Sequence, residues 1–141
     1  MEELEFDNEM IAKLGKELME DMQVNLMNVR DKSMTVSSIR AKWVMKYFKE
    51  KEIVRKLKDA KSTLLQKGVE GLQTTDTQFR NMSKIRLEEK ISRESDKIKK
   101  INEMLSKQNE VVQFMEYALN VVSDFNFTVK HALDAIKLEQ T

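Results

Sequence analysis

The amino-acid sequence predicts an all-α protein built from long helices, and two observations carry that prediction. The first is composition: proline is absent, glycine occurs three times, and charged residues make up 35% of the chain. Such a composition favours long helices whose exposed faces alternate acidic and basic side chains. The second is an apolar seam between Ile91 and Ile136, whose positions recur in alternating steps of three and four residues. No stretch of useful length alternates as a β-strand does.

The seam organises the C-terminal half of the chain. It comprises Ile91, Glu94, Ile98, Ile101, Leu105, Gln108, Val112, Met115, Leu119, Val122, Asn126, Val129, Leu133 and Ile136. Eleven of these fourteen positions are apolar, and a 3.5-residue repeat keeps one stripe of a helix facing one partner. A single straight helix cannot bury that stripe on itself. The seam therefore requires a second helix, from this chain or from another copy.

Toward the C-terminus the apolar residues cover more than one face, which is typical of a helix with several neighbours. We interpret this region as the place where chains meet in a homo-oligomer. An intrachain bundle core explains it equally well. The predicted oligomerisation residues are Val112, Met115, Leu119, Val122, Phe125, Phe127, Val129, Leu133 and Ile136.

The N-terminal segment combines an acidic excess with one amphipathic helix, expected over about 3–20. Residues 1–21 hold eight acidic and two basic side chains, a balance of −6. The apolar face of this helix consists of Leu4, Ile11, Leu14 and Leu18. Between 21 and 33 the periodicity is lost, so we expect a connector with at most one short helical turn, capped by Asn25 or by the stretch 31–33.

A second helix is predicted from about Thr35 to about Lys67, and it is strongly basic. Residues 40–67 hold ten basic and three acidic side chains, a balance of +7. Its buried stripe consists of Trp43, Tyr47, Val54, Leu57, Leu64 and Leu65. Gly68 and Gly71 are expected to end this helix, because glycine commonly follows a helix C-terminus.

The stretch 74–77 supplies N-cap candidates for a third helix, which is expected to run into the seam, unbroken to about Val122. Side chains between Ser123 and Asn126 compete for backbone hydrogen bonds, so we expect a break there and a short last helix over about 127–139. The alternative is an uninterrupted helix with Asn126 as a polar seam residue.

Length and composition limit the number of domains and the kinds of chemical site that the chain can form. The 141 residues leave room for one domain, with an acidic helix and connector over 1–33, a basic helix over 34–72 and the heptad helix with the oligomerisation region over 73–141. Cysteine is absent, and no glycine-rich phosphate loop or metal-ligand spacing occurs, so neither a cofactor nor a metal is expected. A lone histidine, His131, lacks a neighbouring nucleophile pattern. We therefore expect a non-enzyme.

The N-terminus is acidic, unlike a secretory signal, and no apolar run approaches the ~20 residues of a membrane span. These features predict a soluble intracellular protein. The basic second helix is then the strongest functional signal, because lysines on one arc neutralise successive phosphates and release counterions. Trp43, Tyr47 and Phe48 lie among the lysines, and single-stranded bases stack on aromatic faces. Trp43 and Tyr47 also belong to the buried stripe, which favours a core role for both.

Two stretches resemble the UvsY recombination mediators of T4-like bacteriophages. Residues 41–44, Ala-Lys-Trp-Val, are similar to the family's S-K-W/Y-L at the start of a basic helix. Residues 114–134 are similar to its C-terminal block without a gap, with F-x-V/I-K-H/N the sharpest short match. The family-like positions are Phe114, Ala118, Leu119, Phe127, Lys130 and His131. The resemblance covers nearly the whole chain at sparse identity.

This resemblance implies a homo-oligomeric ring, expected to be a heptamer, that binds single-stranded DNA during recombination, repair and replication. It implies two protein partners: a RecA-like phage recombinase, and the phage single-stranded-DNA-binding protein that must be displaced for the recombinase to load. It also implies that the protein acts in the cytoplasm of the infected bacterial host. The family's C-terminal region is associated with assembly, in agreement with the seam.

One departure from the family bears on the DNA site. The family's stretch L-K-A-R-L-D-Y-Y, linked to DNA contact, corresponds here to residues 65–72, where Gly68 replaces the arginine and both aromatic residues are missing. We therefore assign DNA binding to other lysines of the second helix. The first set is Lys56, Lys58, Lys61 and Lys67. A second, wider set consists of Lys42, Lys46 and Lys49.

A lysine-rich face by itself also fits an anionic membrane surface or an acidic protein. The main alternative function is therefore a helical coiled-coil scaffold or adaptor that binds only protein partners. One helix carries few lysines for tight nucleic-acid binding, whereas copies in a ring sum their contacts. The DNA-binding hypothesis thus depends on assembly.

Overall fold

A computed structural model of the protein describes residues 8–25, 27–75 and 77–140, apart from the side chain of Gln140. Leu4, a residue of the predicted first helix, lies outside the described residues. The elements are α1 (Glu9–Asp21), α2 (Val29–Thr75), a 3₁₀-helix (Thr77–Phe79), α3 (Lys84–Glu94) and α4 (Asp96–Gln140). No strand occurs among the described residues, and the prediction of an all-α fold is confirmed.

The described residues form two compact units. The terminal unit contains the residues up to Glu50 and those from Glu110 onward, and the central unit runs from Lys51 to Asn109. The terminal unit thus holds α1, the first part of α2 and the last part of α4. The central unit holds the rest of α2, the 3₁₀-helix, α3 and the first part of α4.

Two apolar clusters form the core of the terminal unit. The first joins all three of its helices and consists of Leu14, Leu18, Trp43, Val111, Met115, Ala118 and Val122. The second consists of Val29, Val36, Phe125 and Val129. Trp43, Met115 and Ala118 are completely buried. Full burial of a side chain of the size of Met115 stabilises the fold by about 1.5–3 kcal/mol.

The central unit buries Val69 of α2, Leu87 of α3 and Ile98 of α4. At Gly68 the backbone of α2 comes so close to α3 that an added Cβ would lie 2.8 Å from Cδ1 of Ile91. Glycine at this position therefore permits the close approach of the two helices.

A connector capped by Asn25 precedes α2 as predicted, but it is shorter than the expected 21–33, because α2 already begins at Val29. The Asn25 side chain accepts hydrogen bonds from the backbone N–H groups of Met27 and Asn28, at 2.9 and 3.1 Å. The Asn28 side chain in turn accepts one from the backbone N–H of Asn25 at 2.7 Å. These bonds satisfy amide groups that precede the first helical hydrogen bonds of α2.

The predicted boundaries of the second helix were wrong. Helix α2 begins at Val29 and runs through Gly68 and Gly71 to Thr75, and neither glycine has a positive φ. A glycine ends a helix when it adopts the left-handed conformation, and here both remain helical. The close packing of α2 against α3 explains why glycine occupies position 68, although the helix does not end there.

The third helix was predicted to be unbroken, and it is not. The Ser83 side chain caps α3 by accepting from the backbone N–H of Arg86, and the Ser95 side chain caps α4 by accepting from that of Ile98, each at 3.3 Å. Ser95 is extended, with φ −83° and ψ 118°. Thr74 and Thr75 do not cap α3, because their hydroxyl groups donate back into α2, and the predicted cap Asp76 lies outside the described residues.

The expected break between Ser123 and Asn126 was also wrong, and the uninterrupted alternative is what the structure shows. Helix α4 runs through this stretch without interruption. Phe125 and Val129 are buried one turn apart in the second cluster, so packing favours the helical conformation over local side-chain competition. Asn126 points to solvent instead of into the seam.

Candidate nucleic-acid interface

Two lysines of the wider predicted set, Lys42 and Lys46, are ion-paired within the terminal unit. The Lys42 ammonium lies 3.0 Å from a Glu17 oxygen and 2.6 Å from Asp21 Oδ2. The Lys46 ammonium lies 3.1 Å from the other Glu17 oxygen. Both carboxylates belong to α1, so the first helix neutralises these two lysines of α2. The acidic side chains of the N-terminal segment and the basic side chains of α2 therefore partly neutralise each other within the chain.

The pKa of the Glu17 carboxyl reflects this pairing. Partial burial acts to raise it, but hydrogen bonds and charge from Lys42 and Lys46 outweigh burial and hold the pKa below its ordinary value. For Lys42, burial acts to lower the pKa, and the two carboxylates raise it above the ordinary value instead. Both groups are charged at neutral pH, and their charges are largely compensated.

The aromatic residues among the lysines divide into a core residue and an exposed one. Trp43 is completely buried, and its indole N–H donates to Asp21 Oδ2 at 2.9 Å. The Tyr47 hydroxyl donates to Glu116 at 3.4 Å, and Phe48 is 59% exposed with its ring centroid 5.7 Å from that of Tyr47. The core role of Trp43 is confirmed, and Phe48 alone of the three presents an open aromatic face.

The remaining predicted lysines are less constrained. Lys49, Lys56, Lys58 and Lys67 are exposed, and none forms an ion pair with a described carboxylate. Lys61 is half-buried beside α3. Within the central unit, Lys56 and Lys67 lie eleven residues apart, which places them within about 20° of arc on one helix face.

Lys58 and Lys61 lie on other faces of α2. Lys58 is about 200° around the helix from Lys56. Lys61 lines a groove with Glu88, Glu89 and Arg93 of α3. The four central lysines thus do not form a single stripe, and Lys56 with Lys67 are the two that share a solvent-exposed face.

Sequence reasoning did not single out a second basic group, on α3. Arg86, Lys90 and Arg93 line a cleft of about 560 Å³ together with Phe79 of the 3₁₀-helix. Their spacing of four and three residues places all three within about 60° of arc, and that spacing was the available signal. The signal was obscured because the neighbouring glutamates suggested an ordinary solvated helix.

Most predicted oligomerisation residues pack within the chain itself. The buried ones are Met115, Val122, Phe125 and Val129. The half-buried ones are Val112, Leu119, Leu133 and Ile136. Phe127 is 61% exposed. The intrachain alternative therefore accounts for the buried set, and contact between copies stays a prediction that concerns chiefly Phe127 and the half-buried positions.

Two further features of the described residues bear on function. No group of three or more metal-ligating side chains among them is arranged to hold an ion. Within the same part of the chain, no helix has both the length and the apolarity to cross a membrane. His131 is exposed on α4.

Comparison with known proteins yields structural matches only. Neither a protein-family model nor a curated protein sequence matches the chain. Two crystal structures of the bacteriophage T4 recombination mediator protein UvsY, in lattice types IV and II, superpose with a TM-score of 0.72. The chain has a UvsY-like fold. Sequence identity to UvsY is 17% and 16%, and the matches cover 91% and 92% of this chain and 97% of UvsY.

The match to UvsY spans almost the full length of both proteins and is therefore not limited to one helical hairpin. The resemblance drawn from the sequence is confirmed at the level of the fold.

Proposed function

We propose that this protein is a recombination mediator that binds single-stranded DNA and promotes loading of a RecA-like recombinase onto strands covered by single-stranded-DNA-binding protein. The observation that carries the proposal is the full-length similarity of fold to the T4 recombination mediator UvsY. The exposed lysines of α2 support it, because unpaired surface ammonium groups are the chemistry that contacts a phosphate backbone.

Assembly is part of the proposal. Two of the seven predicted lysines are compensated by α1, so one chain offers a modest positive surface. Several copies in a ring, in number expected to be seven, present the same surface repeatedly to one strand and gain affinity by multivalency. The exposed Phe127 and the half-buried seam positions are the proposed contacts between copies. The proposed site of action is the cytoplasm of the infected bacterial host.

A salt titration tests DNA binding directly. We expect the affinity for a labelled single-stranded oligonucleotide to fall with salt, with a slope of several units in log K against log salt concentration. Replacing Lys56→Gln together with Lys67→Gln should lower both the affinity and the slope. The matched control is Lys13→Gln with Lys16→Gln, which removes the same charge from exposed positions of α1 and should have little effect.

The mediator step needs its own assay. On an oligonucleotide covered with single-stranded-DNA-binding protein, wild-type protein should shorten the lag before a RecA-like recombinase begins DNA-dependent ATP hydrolysis. If the protein binds DNA normally but leaves the lag before ATP hydrolysis unchanged, it is a DNA-binding protein and not a mediator. The function proposed here would then be wrong.

A second candidate function is the helical scaffold that binds only protein. The pairing of Lys42 and Lys46 with Glu17 favours it, since those lysines serve the fold of the chain itself. This candidate predicts no oligonucleotide binding even at low salt and no effect of the Lys56 and Lys67 replacements on any activity.

A further inference from the structure

The central unit contains an aromatic ring framed by cations. Phe79 is half-buried in the 3₁₀-helix that follows α2, and the Lys90 ammonium lies 5.4 Å from its ring centroid. The ring forms part of the 560 Å³ cleft, to which α3 contributes Arg86 and Arg93. We call this feature the Phe79 cleft. Its full lining is Gln78, Phe79, Met82, Arg86, Glu89, Lys90, Arg93 and Glu94.

The two arginines of the Phe79 cleft have guanidinium groups available for a ligand. Both side chains are exposed, and neither forms an ion pair with a described carboxylate. Arg93 Nε donates weakly, at 3.4 Å, to the main-chain carbonyl of Glu89. By contrast, Lys90 is paired with Glu94 at 2.8 Å, so the lysine is held over the ring.

The segment that supplies the lining of the cleft has a positive net charge. Residues 77–100 hold eight basic and four acidic side chains, a balance of +4. The three cations of the cleft, Arg86, Lys90 and Arg93, share one face of α3, whereas the buried Leu87 lies on another. Packing of α3 in the central unit therefore turns this basic face outward instead of burying it.

We propose that the Phe79 cleft binds single-stranded DNA, with a base stacked on the Phe79 ring and the adjacent phosphates on Arg86 and Arg93. Base–aromatic stacking is tolerant of sequence, and arginine matches the geometry of phosphate oxygens with paired hydrogen bonds. The cleft volume lies within the range of pockets that hold small ligands, which fits one nucleotide.

Lys90 has a specific part in this arrangement. In the free protein its ammonium covers the ring, so a base that stacks on Phe79 takes the place of the ammonium. The displaced Lys90 keeps Glu94 as its partner and lies near the incoming phosphate. This inference rests on the proposed function, and it adds a second DNA contact on α3 to the lysines of α2.

The test measures oligothymidylate binding to the full-length protein by fluorescence anisotropy over a range of salt. We expect Arg86→Gln with Arg93→Gln to weaken binding at least tenfold and to reduce the slope of log K against log salt by about 1.5, close to the value for two lost phosphate contacts on a single strand. Phe79→Leu should weaken binding by about 5- to 100-fold and leave the slope unchanged, because a neutral stacking contact releases no counterion.

The matched control is Lys84→Gln with Lys99→Gln, which removes two charges from exposed positions of the same unit outside the cleft. We expect less than a threefold change. Circular dichroism checks that each variant keeps its helical content. If Phe79→Leu unfolds, the two exposed arginines still decide the matter.

Three outcomes would overturn the inference. If the arginine variant binds like the lysine control, the cleft is not a DNA contact while the proposed function stands. If the arginine variant binds DNA normally but no longer binds a poly-glutamate probe that the wild type binds, the cleft binds an acidic protein. If wild type binds no oligothymidylate at low salt, the proposed function fails and this inference with it.

Discussion

The indole N–H of Trp43 donates to Asp21 Oδ2 at 2.9 Å, and the Lys42 ammonium lies 2.6 Å from that same oxygen. Trp43 is completely buried in the first apolar cluster of the terminal unit. One carboxylate at the end of α1 thus satisfies the buried indole and neutralises a lysine of α2. The Asp21 carboxylate therefore links α1 to α2.

Removal of the Asp21 carboxylate should destabilise the terminal unit. In Asp21→Ala the buried indole N–H loses its acceptor, which we expect to lower the free energy of unfolding by about 1–3 kcal/mol. Asp21→Asn retains an oxygen acceptor and loses only the charge, so its effect should be smaller. Urea unfolding measures both. Equal losses for the two variants would mean that the ion pair, and not the indole hydrogen bond, dominates.

The Glu17 carboxylate should make stability depend on pH. Its pKa is below the ordinary 4.5 in the folded protein, so its stabilisation is present above that value and is lost as pH falls through the folded pKa. We expect wild type to exceed Glu17→Gln in stability at neutral pH and the difference to vanish in acid. The pair is over a third exposed, so added salt should shrink the difference.

A carboxylate outside the ion pairs provides the comparison for Glu17. Glu20 is exposed on the same helix and forms no ion pair with a described residue. Thermal unfolding of Glu20→Gln should follow wild type at every pH. If Glu20→Gln reproduces the acid behaviour of Glu17→Gln, the pairing with Lys42 and Lys46 is not its cause.

The two glycines inside α2 should respond differently to replacement by alanine. A Cβ at Gly71 meets nothing within 4 Å, so Gly71→Ala should raise the free energy of unfolding by about 0.5–1 kcal/mol through helix propensity. At Gly68 the new Cβ would lie 2.8 Å from Ile91, and overpacking should offset or exceed the same gain. Thermal midpoints of the two variants decide this. A similar rise in both would show that α2 and α3 tolerate a larger separation.

Phe125 and Phe127 are two residues apart in the sequence, and we expect them to differ in their contribution to stability. Phe125 is 6% exposed and belongs to the second cluster, so Phe125→Ala should cost about 3–5 kcal/mol of stability. Phe127 is 61% exposed, and Phe127→Ala should change stability by less than about 0.5 kcal/mol. Chemical denaturation measures both.

Phe127 also provides the cleaner test of assembly. Because its side chain lies outside the core, Phe127→Asp should keep the helical content while reducing the particle mass in light scattering, as a charge in an interface of apolar residues is unfavourable. Val122→Asp is less informative, since Val122 is buried within the chain. An unchanged mass for Phe127→Asp would remove Phe127 from the proposed contacts between copies.

Element type was largely predictable from the sequence, and element boundaries were not. The acidic helix, the basic helix and the seam all followed from composition and period, which are local properties. The ends predicted at Gly68 and near Ser123 failed, because packing of Gly68 against Ile91 and burial of Phe125 outweigh the local preference of those residues. Ser83 and Ser95 cap helices at places where the periodic pattern alone shows no boundary.

The candidate interface was predicted less well than the fold. The lysine content of α2 is visible in the sequence, but Lys42 and Lys46 are compensated by a helix some 25 residues earlier in the chain. The Phe79 cleft was missed because Phe79 and Lys90 are brought together by the turn between α2 and α3. Neither relationship has a periodic signature.

The sequence by itself determined that the chain is helical, where its charges are concentrated, and that its C-terminal half carries a continuous apolar stripe. These properties depend on spacing along one helix, and spacing is written directly in the order of residues. The tertiary structure alone decided which lysines remain available to a ligand and which seam residues the chain buries for itself. Charge compensation and burial depend on which distant segments meet, and many pairings satisfy the same local pattern.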